Sequence, residues 1–303
     1  MKIDLNQSSR TEEVVSARLA DGSVRQSPRH LTSREYRPAG TVVNIDGVKA
    51  GLIELVVMAG PCSVESAEQI LLIAREVKAA GATVLRGGAF KPRTSPYDFQ
   101  GLGKIGLEHL RAASYETGLK VVTEVVDPRD VELVTEYADC LQIGSRNMQN
   151  YPLLNEVGMS SKPVLLKRGL SANYKEFLLA AEYIMAQGNE QVILCERGIR
   201  GLTNELRFTL DLNAVPYLKE RTHLPVIVDP SHGTGSAPLV PAMSLAAIAF
   251  GADGIIVETH YSPADSISDA AQTISTVAFA KLMKDIAAVA EAVGRKAHSP
   301  AVR

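Results

Sequence analysis

Eight short apolar runs recur along this 303-residue chain, and segments with helical spacing separate them. In the segments that begin at Ser66 and Ser171, apolar residues recur three and four positions apart, which is typical of amphipathic helices. Strands that are apolar throughout are buried on both faces, and this requires a parallel sheet with helical crossovers. Eight such units over about 240 residues predict a closed (β/α)8 TIM barrel of the α/β class, whose usual length is about 250 residues. The eight runs are VVMAGPCS from Val56, TVLRGGAF from Thr83, LKVVTEV from Leu119, CLQIGSRN from Cys140, KPVLLKRG from Lys162, QVILCERG from Gln191, LPVIVDPSHG from Leu224 and GIIVETH from Gly254.

An open doubly wound sheet is the rival fold. Its dinucleotide-binding form needs a GxGxxG turn after the first strand, and the segment GPCSVES from Gly60 lacks that spacing. Ahead of the barrel, Asp46-Gly47 separates two extended runs and supplies the positive backbone angles of a two-residue hairpin turn. Residues up to about position 35 are polar and are expected to form a loose arm. We therefore predict an arm and a β-hairpin over residues 1–53, with the hairpin covering the barrel's N-terminal end, and the barrel over residues 54–303.

Composition narrows the classes of function. Lysine and arginine total 32 against 34 acidic residues, and the basic residues fall singly rather than in blocks. This distribution argues against a nucleic-acid or membrane-surface partner and leaves small anions as ligands. No apolar run approaches the length of a membrane span, and the polar start MKIDLNQSSRTEE does not resemble a secretory signal. We expect a cytoplasmic enzyme whose three cysteines stay reduced, with Cys140 and Cys195 in packing positions.

Four side chains of the kinds that bind metals stand at or just beyond three strand ends: Cys62, His232, Glu258 and Asp269. The strands concerned are the first, seventh and eighth, which are neighbours in a closed barrel. A thiolate, an imidazole and two carboxylates suit manganese, iron, cobalt or zinc better than calcium or magnesium. Each residue also has a structural alternative, because buried cysteines are usually packing residues and Asp269 could cap the last helix, expected from about residue 270 to residue 293. Their shared position at adjoining strand ends favours a divalent metal site.

Cationic side chains follow the second, fourth, fifth and sixth strands, at the end of the barrel where such folds bind substrates. In a half-buried mouth they would repel one another unless anions neutralised them, and arginine grips phosphate and carboxylate in bidentate fashion. The alternative is a set of solvated cations paired with acidic neighbours. Recurrence on four strands favours the anion site. The cations are Arg86, Lys91, Arg93, Arg146, Lys167, Arg168, Arg197 and Arg200.

The segment GGAFKPRTS is predicted to form an anion-binding loop. Lys91, Arg93 and Thr94 supply three donors within four positions, and Pro92 restricts the backbone between them.

The histidines other than His232 divide into two groups. His260 lies two residues beyond Glu258 on the same face of an extended strand, so it is a candidate supporting group or proton carrier, with ordinary packing as the alternative. The remaining histidines are predicted to be surface residues: His30, His109, His223 and His298.

The ordered segments GPCSVES, LRGGAFKPRTSPYDFQGLG, VVTEVVD, QIGSRNMQN, KPVLLKRG, ILCERGIR, VDPSHGTG and VETH with a following SDAAQ resemble one family. Over roughly residues 31–285 the chain is similar to the 3-deoxy-D-arabino-heptulosonate 7-phosphate (DAHP) synthases, in particular their compact class I beta-type subgroup. The resemblance implies a metal-dependent barrel that condenses phosphoenolpyruvate with erythrose 4-phosphate and water, releases phosphate and opens the shikimate pathway. In the sister family, 3-deoxy-D-manno-octulosonate 8-phosphate synthase, Ala-Asn-Arg follows the equivalent lysine. Here Pro92-Arg93-Thr94 follows it, which favours the four-carbon aldose.

The resemblance also implies roles for individual residues. The four candidate ligands would hold the metal, with manganese as the first choice. Arg93 and Thr94 would bind the aldose phosphate, with Pro92 and Asp229 near its hydroxyls. Glu124 would position or activate the water. Lys91 would donate a proton to the new alkoxide, and neighbouring cations would lower the pKa of Lys91. The candidate catalytic residues are thus Lys91, Glu124 and His260. The carboxylate and phosphate of phosphoenolpyruvate are assigned to Arg86, Lys91, Arg146, Lys167 and Arg197.

The chain departs from the family pattern at Phe208, where asparagine is common, at residues 201–203, and at Thr259 and Tyr261 beside His260. These changes could reshape the aldose pocket. A homologous synthase that uses a modified aldose phosphate in a secondary pathway is therefore one alternative. The other is a non-catalytic barrel that binds phosphorylated metabolites, although the complete ligand set argues against it.

Regulation and assembly follow from the same resemblance. The arm is too short for a regulatory domain, so we expect weak or absent inhibition by aromatic amino acids. The alternative is an inhibitor site that the arm and hairpin form between subunits. A titration of turnover with tyrosine, phenylalanine and tryptophan decides between them. The family usually forms dimers or tetramers. A homodimer or homotetramer is expected, with a chorismate mutase as a candidate partner.

Overall fold

A closed barrel of eight parallel strands forms the centre of the protein, as predicted. The computed structural model describes residues 15–18, 24–27, 30–93, 95–202 and 205–298. Each barrel strand pairs with its sequence neighbours, and the last pairs with the first, which closes the sheet. The barrel strands are β5 (Val56–Gly60), β6 (Val84–Arg86), β7 (Lys120–Glu124), β8 (Cys140–Ile143), β9 (Val164–Lys167), β10 (Val192–Glu196), β11 (Val226–Val228) and β12 (Gly254–His260).

Helices follow every barrel strand. They are α1 (Ala67–Ala80), α2 (Lys104–Thr117), α3 (Val131–Tyr137), α4 (Tyr151–Met159), α5 (Tyr174–Ala186), α6 (Ala214–Arg221), α7 (Pro230–Thr234), α8 (Val240–Ala249) and α9 (Thr276–Ala292). Side-chain caps define the starts of both helices predicted from periodicity. Ser66 accepts a hydrogen bond from the Gln69 backbone N–H at 3.1 Å, and Asn173 forms a capping box with Glu176. Within the described ranges, no helix is long and apolar enough to cross a lipid bilayer.

The last helix begins later than the sequence predicted. Asp269 does not cap it: this residue precedes a short 3-10 turn, Ala270–Gln272, and Ser275 supplies the side-chain cap of α9. Asp269 itself adopts a left-handed backbone conformation with φ of 53°. Such a conformation is uncommon for a residue other than glycine and often accompanies a functional constraint.

Alternate residues of the strands face into the barrel. The inward row packs into one buried cluster with the hairpin, and the outward row packs against the helices in a second, larger cluster. The inward strand residues of this cluster are Val56, Met58, Val84, Val122, Cys140, Leu165, Ile193, Cys195, Ile227 and Ile256. Cys140 and Cys195 are thus packing residues, as predicted.

The predicted hairpin lies across the N-terminal end of the barrel. Strands β3 (Val43–Ile45) and β4 (Val48–Ala50) pair antiparallel, and Asp46 and Gly47 both have positive φ in the turn between them. Their buried side chains join the inward cluster, and the Asp46 carboxylate accepts a hydrogen bond from Lys120, the first residue of β7. The hairpin therefore closes the end of the barrel opposite the strands' carboxyl ends.

The N-terminal arm is more structured than its composition suggested. Strands β1 (Val15–Arg18) and β2 (Val24–Ser27) pair antiparallel, and from Leu31 onward the arm is attached to the barrel. The prediction of a surface position for His223 is wrong: it is 2% exposed, and its ring nitrogens contact Thr41 Oγ1 and Leu31 O, both at 2.6 Å. Because the partners lie more than 180 residues away in sequence, the local pattern around His223 gave no indication of burial.

Candidate active site

In seven of the eight barrel strands, the inward row ends in a polar side chain at the barrel's carboxyl end. This follows from the two-residue repeat of a strand, because residues that continue the inward apolar row beyond the core point into the same mouth. The side chains that continue this row are Arg86, Glu124, Gln142, Lys167, Arg197, Asp229 and Glu258. The fold therefore gathers groups from seven strands at one end.

Three of the predicted metal ligands form a compact cluster. The ligand atoms of Cys62, Glu258 and Asp269 all lie within 4.8 Å of one another. The fourth, His232, lies beside them, with its Nε2 3.3 Å from Glu258 Oε1. The structure thus brings together all four residues proposed from the sequence.

Asp229 fixes the orientation of the His232 ring. The Asp229 carboxylate lies 2.7 Å from His232 Nδ1 and also accepts a hydrogen bond from the His232 backbone N–H at 2.9 Å. Burial lowers the pKa of His232 below its usual value, so the ring favours the neutral form. With its proton on Nδ1, the neutral ring presents the Nε2 lone pair to the cluster, which is the arrangement of many metal-binding histidines.

The Cys62 thiol is buried beside two carboxylates, Glu258 and Asp269. Burial raises its pKa to about 12, and the nearby Glu258 carboxylate acts in the same direction. The thiol donates a hydrogen bond to Asp269 Oδ2 at 3.2 Å. A bound divalent cation would displace this proton, because the thiolate is the form that ligates.

Glu258 is held from both sides. Its Oε1 accepts a hydrogen bond from Arg86 at 3.0 Å, and its Oε2 accepts one from the Gln272 amide at 2.6 Å. Glu258 is 1% exposed, so these donors compensate much of the cost of burying its charge.

A polar cavity of about 190 Å³ opens beside the cluster. Most of the predicted substrate residues lie on its wall, together with two of the candidate ligands. The predicted residues that line it are Arg86, Lys91, Pro92, Arg93, Glu124, Arg146, Lys167, Arg197, His232 and Asp269. Six of the cations predicted from the strand ends therefore surround one physical space.

Among the described residues predicted to bind substrate or to act in catalysis, two do not line this cavity. Asp229 is 1% exposed and lies behind the site, where one carboxylate oxygen contacts both Lys167 Nζ at 2.6 Å and His232 Nδ1. In this position Asp229 supports Lys167 and His232. That it lies near the aldose hydroxyls stays a prediction. His260 is 1% exposed and its Nε2 lies 3.9 Å from Glu65 Oε2, too far for a hydrogen bond. Thr94, the third donor of the predicted loop, lies outside the described residues.

Two of the eight predicted cations also fall outside the cavity. Arg168 points away from the barrel interior and pairs with Glu196 and Asp211 at 2.8 and 2.9 Å. Arg200 is exposed beyond the strand end. Arg168 belongs to the outward row because it directly follows the inward-facing Lys167.

Lys91 lies at the boundary between cavity and cluster. Its Nζ donates hydrogen bonds to Cys62 Sγ at 2.9 Å and to the Cys62 carbonyl at 3.2 Å. Burial acts to lower the pKa of Lys91, but attraction to Cys62 and Glu258 outweighs it, so the pKa is raised. The prediction of a lowered pKa is therefore wrong: Arg86 acts in the predicted direction, but attraction to Cys62 and Glu258 outweighs it.

Sequence reasoning missed several polar residues of the site, among them Gln142, Arg207 and Gln272. Gln142 continues an inward row, so the two-residue repeat could have identified it. Arg207 lines the cavity and donates to Gln272 Oε1 at 2.9 Å and to Asp269 Oδ1 at 3.4 Å. Arg207 and Gln272 lie in loops, and no local pattern distinguished them.

Phe208, noted as a departure from the family pattern, forms part of the cavity wall. The Arg197 guanidinium lies over its ring, 4.2 Å from the centroid. Arg197 is 4% exposed, and burial lowers its pKa. Among the residues that the structure describes, no carboxylate forms an ion pair with Arg197. Its charge therefore remains available to an anion in the cavity.

These features define a class: a (β/α)8 barrel whose candidate active site, at the strands' carboxyl ends, combines metal-type ligands with an anion pocket. Comparison with known proteins identifies a family within this class. A family model described as the DAHP synthetase I family matches residues 40–292. The chain belongs to this family.

Individual relatives agree with the family assignment. The phospho-2-dehydro-3-deoxyheptonate aldolase of Thermotoga maritima is 49% identical over 269 residues, which cover 89% of this chain and 80% of that protein. A crystal structure of that aldolase, a DAHP synthase, has a TM-score of 0.86 at 48% identity and covers 90% of this chain and 81% of its own. The 2-dehydro-3-deoxyphosphooctonate aldolase of Acidithiobacillus ferrooxidans is 31% identical over 242 residues, covering 74% of this chain and 85% of that protein.

Proposed function

We propose that this protein condenses phosphoenolpyruvate with erythrose 4-phosphate and water to give 3-deoxy-D-arabino-heptulosonate 7-phosphate and phosphate, the first step of the shikimate pathway. The observation that carries the proposal is the cavity itself, where cations from several strands surround a space next to a metal-type cluster. Membership of the DAHP synthetase I family and 49% identity to a Thermotoga aldolase of that name support it.

The cluster fits a divalent transition metal. A thiol, an imidazole and two carboxylates are a mixed donor set, and the spacing of the Cys62, Glu258 and Asp269 ligand atoms lets one ion reach all three. Cys62, His232, Glu258 and Asp269 would hold it. Manganese is our first choice, with iron, cobalt and zinc as alternatives. A bound ion would act as a Lewis acid that polarises the aldehyde oxygen of the aldose.

Phosphoenolpyruvate would occupy the inner cavity. Arg86, Lys167 and Arg197 are each at most 4% exposed, so an anion among them would be largely shielded from water. Arg146, at the rim, and Lys91 would complete this set. Charge-assisted bonds in such a setting are stronger than on an exposed surface, and guanidinium groups match both carboxylate and phosphate geometry.

Two groups would handle protons and water. Lys91 Nζ, next to the cluster, would donate a proton to the oxygen of the former aldehyde as the methylene carbon of phosphoenolpyruvate bonds to the aldehyde carbon. Glu124 lines the cavity and accepts a hydrogen bond from Gln142 at 3.1 Å, so its carboxylate is oriented to position the water that adds to the enol-ether carbon. Cleavage of the carbon–oxygen bond then releases phosphate. His260, two residues beyond Glu258 on the same face of β12, would act as a supporting group.

The aldose phosphate would lie at the outer end of the cavity, with Arg93 and Thr94 as its donors and Pro92 beside it. Replacing Arg93 with alanine is expected to raise the KM for erythrose 4-phosphate about ten- to a hundredfold, because a charged hydrogen bond contributes about 1.5–3 kcal/mol. The KM for phosphoenolpyruvate should change little. Steady-state kinetics with each substrate varied in turn measures both constants.

A control for this variant is Arg129→Ala. Arg129 is exposed and pairs with Asp127 outside the cavity, so its removal should leave both KM values unchanged. A rise in the KM for phosphoenolpyruvate alone in the Arg93 variant would place the aldose phosphate elsewhere.

One assay separates the proposal from its alternatives. Loss of phosphoenolpyruvate is followed with a panel of aldose phosphates, before and after treatment with a chelator. We expect turnover with erythrose 4-phosphate that disappears with chelator and returns with Mn²⁺. Turnover only with another aldose would favour a synthase of a secondary pathway. No turnover with any aldose would favour a non-catalytic phosphometabolite-binding barrel, and turnover that resists the chelator would contradict the metal assignment.

Assembly and location complete the proposal. We expect a homodimer or homotetramer in the cytoplasm, with a chorismate mutase as a candidate partner. Light scattering during size-exclusion chromatography, with and without the mutase, measures the oligomeric state and the association with the mutase.

A further inference from the structure

A buried ion pair lies directly behind the cations of the proposed phosphoenolpyruvate pocket. Arg168 and Glu196 are 4% and 0% exposed, and Arg168 Nη1 lies 2.8 Å from Glu196 Oε2. Each residue adjoins a cavity cation in sequence, since Lys167 precedes Arg168 and Arg197 follows Glu196. Because neighbouring residues of a strand face opposite sides, the cations enter the cavity while the pair lies between barrel and helices.

Further contacts anchor this pair. Arg168 Nη1 also contacts Asp211 Oδ2 at 2.9 Å, and the Arg168 guanidinium lies over the Tyr174 ring, 4.6 Å from its centroid. The Tyr174 hydroxyl donates to the same Asp211 oxygen at 2.6 Å. The pair is thus fixed to helix α5 and to the segment before α6.

The pair also anchors backbone that follows the two cations in sequence. Glu196 Oε1 accepts a hydrogen bond from the Gly198 N–H at 2.6 Å, and Arg168 Nε donates to the Ala172 carbonyl at 2.9 Å. Gly198 has φ of +85°, and a side chain there would crowd Phe208 and Gly233 at 3.0 Å. The Glu196 side chain therefore fixes the peptide group that follows Arg197, and the preceding peptide is held by the Asp229 N–H, which donates to the Glu196 carbonyl at 2.8 Å.

Stability alone is a weak reason for such a pair. Burying two charges costs several kcal/mol in desolvation, and replacing buried ion pairs with apolar residues is often neutral or stabilising. What apolar residues could not supply is the acceptor for Gly198 and the rigid link between the ends of β9 and β10.

We propose that Arg168 and Glu196 are positioning residues that orient Lys167 and Arg197 toward the phosphate or carboxylate of bound phosphoenolpyruvate. This inference rests on the proposed function for the identity of the ligand. Anion pockets depend on the placement of their donors, and a misplacement of about 1 Å can cost about a hundredfold in rate.

The test replaces the pair by Arg168→Met with Glu196→Met and measures binding of phosphoenolpyruvate and of inorganic phosphate by titration calorimetry. We expect a folded protein whose Kd for both anions is about ten- to a hundredfold higher than that of the wild type. The KM for phosphoenolpyruvate should rise in parallel, whereas the KM for erythrose 4-phosphate and the amount of bound Mn²⁺ stay unchanged. A folded double variant with wild-type Kd values, or an equal rise in both KM values, would overturn the proposal.

Two further variants complete the experiment. Glu196→Gln keeps the side-chain shape and an acceptor for Gly198, so we expect a smaller rise in Kd than in the double variant. If the double variant fails to fold, an unchanged Kd in Glu196→Gln would overturn the proposal. The control is Arg295→Met, at the opposite end of the barrel. Arg295 Nη2 donates a hydrogen bond to Oδ1 of the buried Asp253 at 3.1 Å, and removing it should leave anion binding unchanged. Because binding is measured without turnover, an inactive wild type would contradict the proposed function without deciding this inference.

Discussion

Replacing Cys62 with alanine is expected to lower metal-dependent turnover about a thousandfold and to reduce the bound metal. The thiol belongs to the cluster of Cys62, Glu258 and Asp269, and its loss would leave an ion with carboxylates and one imidazole. A Lewis-acid metal supplies several kcal/mol of transition-state stabilisation, and about 4 kcal/mol corresponds to about a thousandfold in rate. Elemental analysis of dialysed protein and rates at saturating Mn²⁺ measure the two effects.

Cys140→Ala provides the matched control. This thiol is equally buried but lies in the inward cluster of the barrel, remote from the cavity wall. It should retain metal and turnover, with at most a modest loss of stability from the smaller side chain. Full activity of the Cys62 variant after metal stripping would refute the ligand assignment.

Replacing Lys91 with methionine is expected to lower kcat about a hundred- to ten-thousandfold, the usual contribution of a general acid. The KM for phosphoenolpyruvate should rise less, because several other cations would remain around that substrate. Lys91→Arg keeps the positive charge but not the compact ammonium, so it should recover binding more than kcat. Steady-state rates of all three proteins at saturating substrate measure the loss.

The contact between Lys91 and Cys62 calls for a second measurement. Since Lys91 Nζ lies 2.9 Å from Cys62 Sγ, the methionine variant could lose activity by losing metal. Unchanged metal content with a large loss of kcat would support the proton-donor role, whereas a proportional loss of metal would replace it by a role in the metal site. Lys120→Met, which removes the contact with Asp46 at the opposite end of the barrel, should leave both quantities unchanged.

The raised pKa of Lys91 bears on the same role. Attraction to Cys62 and Glu258 outweighs burial and raises the pKa of Lys91. A divalent ion would neutralise much of that negative charge. The ion that fits the cluster would therefore also weaken the hold on the Lys91 proton, which is the direction that proton donation requires.

Much of the fold was predictable because each barrel element carries a local signal. Apolar strands with helical segments between them required a parallel sheet, and Asp46-Gly47 required a tight turn. The start of α9 was misplaced because the segment that follows Asp269 has helical composition, yet Asp269 adopts a left-handed conformation there. A local pattern does not record a backbone constraint of that kind.

The features of the candidate site likewise fall into two groups, those that local sequence predicts and those that only tertiary contacts decide. The sequence by itself determined which strand-end groups enter the mouth, because the two-residue repeat places Arg86, Lys167 and Glu258 on the inward face. The same rule would have excluded Arg168. Only the tertiary structure decided that Asp229 supports His232, that Arg207 reaches Gln272 and that the acidic cluster raises the pKa of Lys91. These outcomes depend on distances and burial between residues far apart in the chain, whereas alternation along a strand is a local property of the backbone.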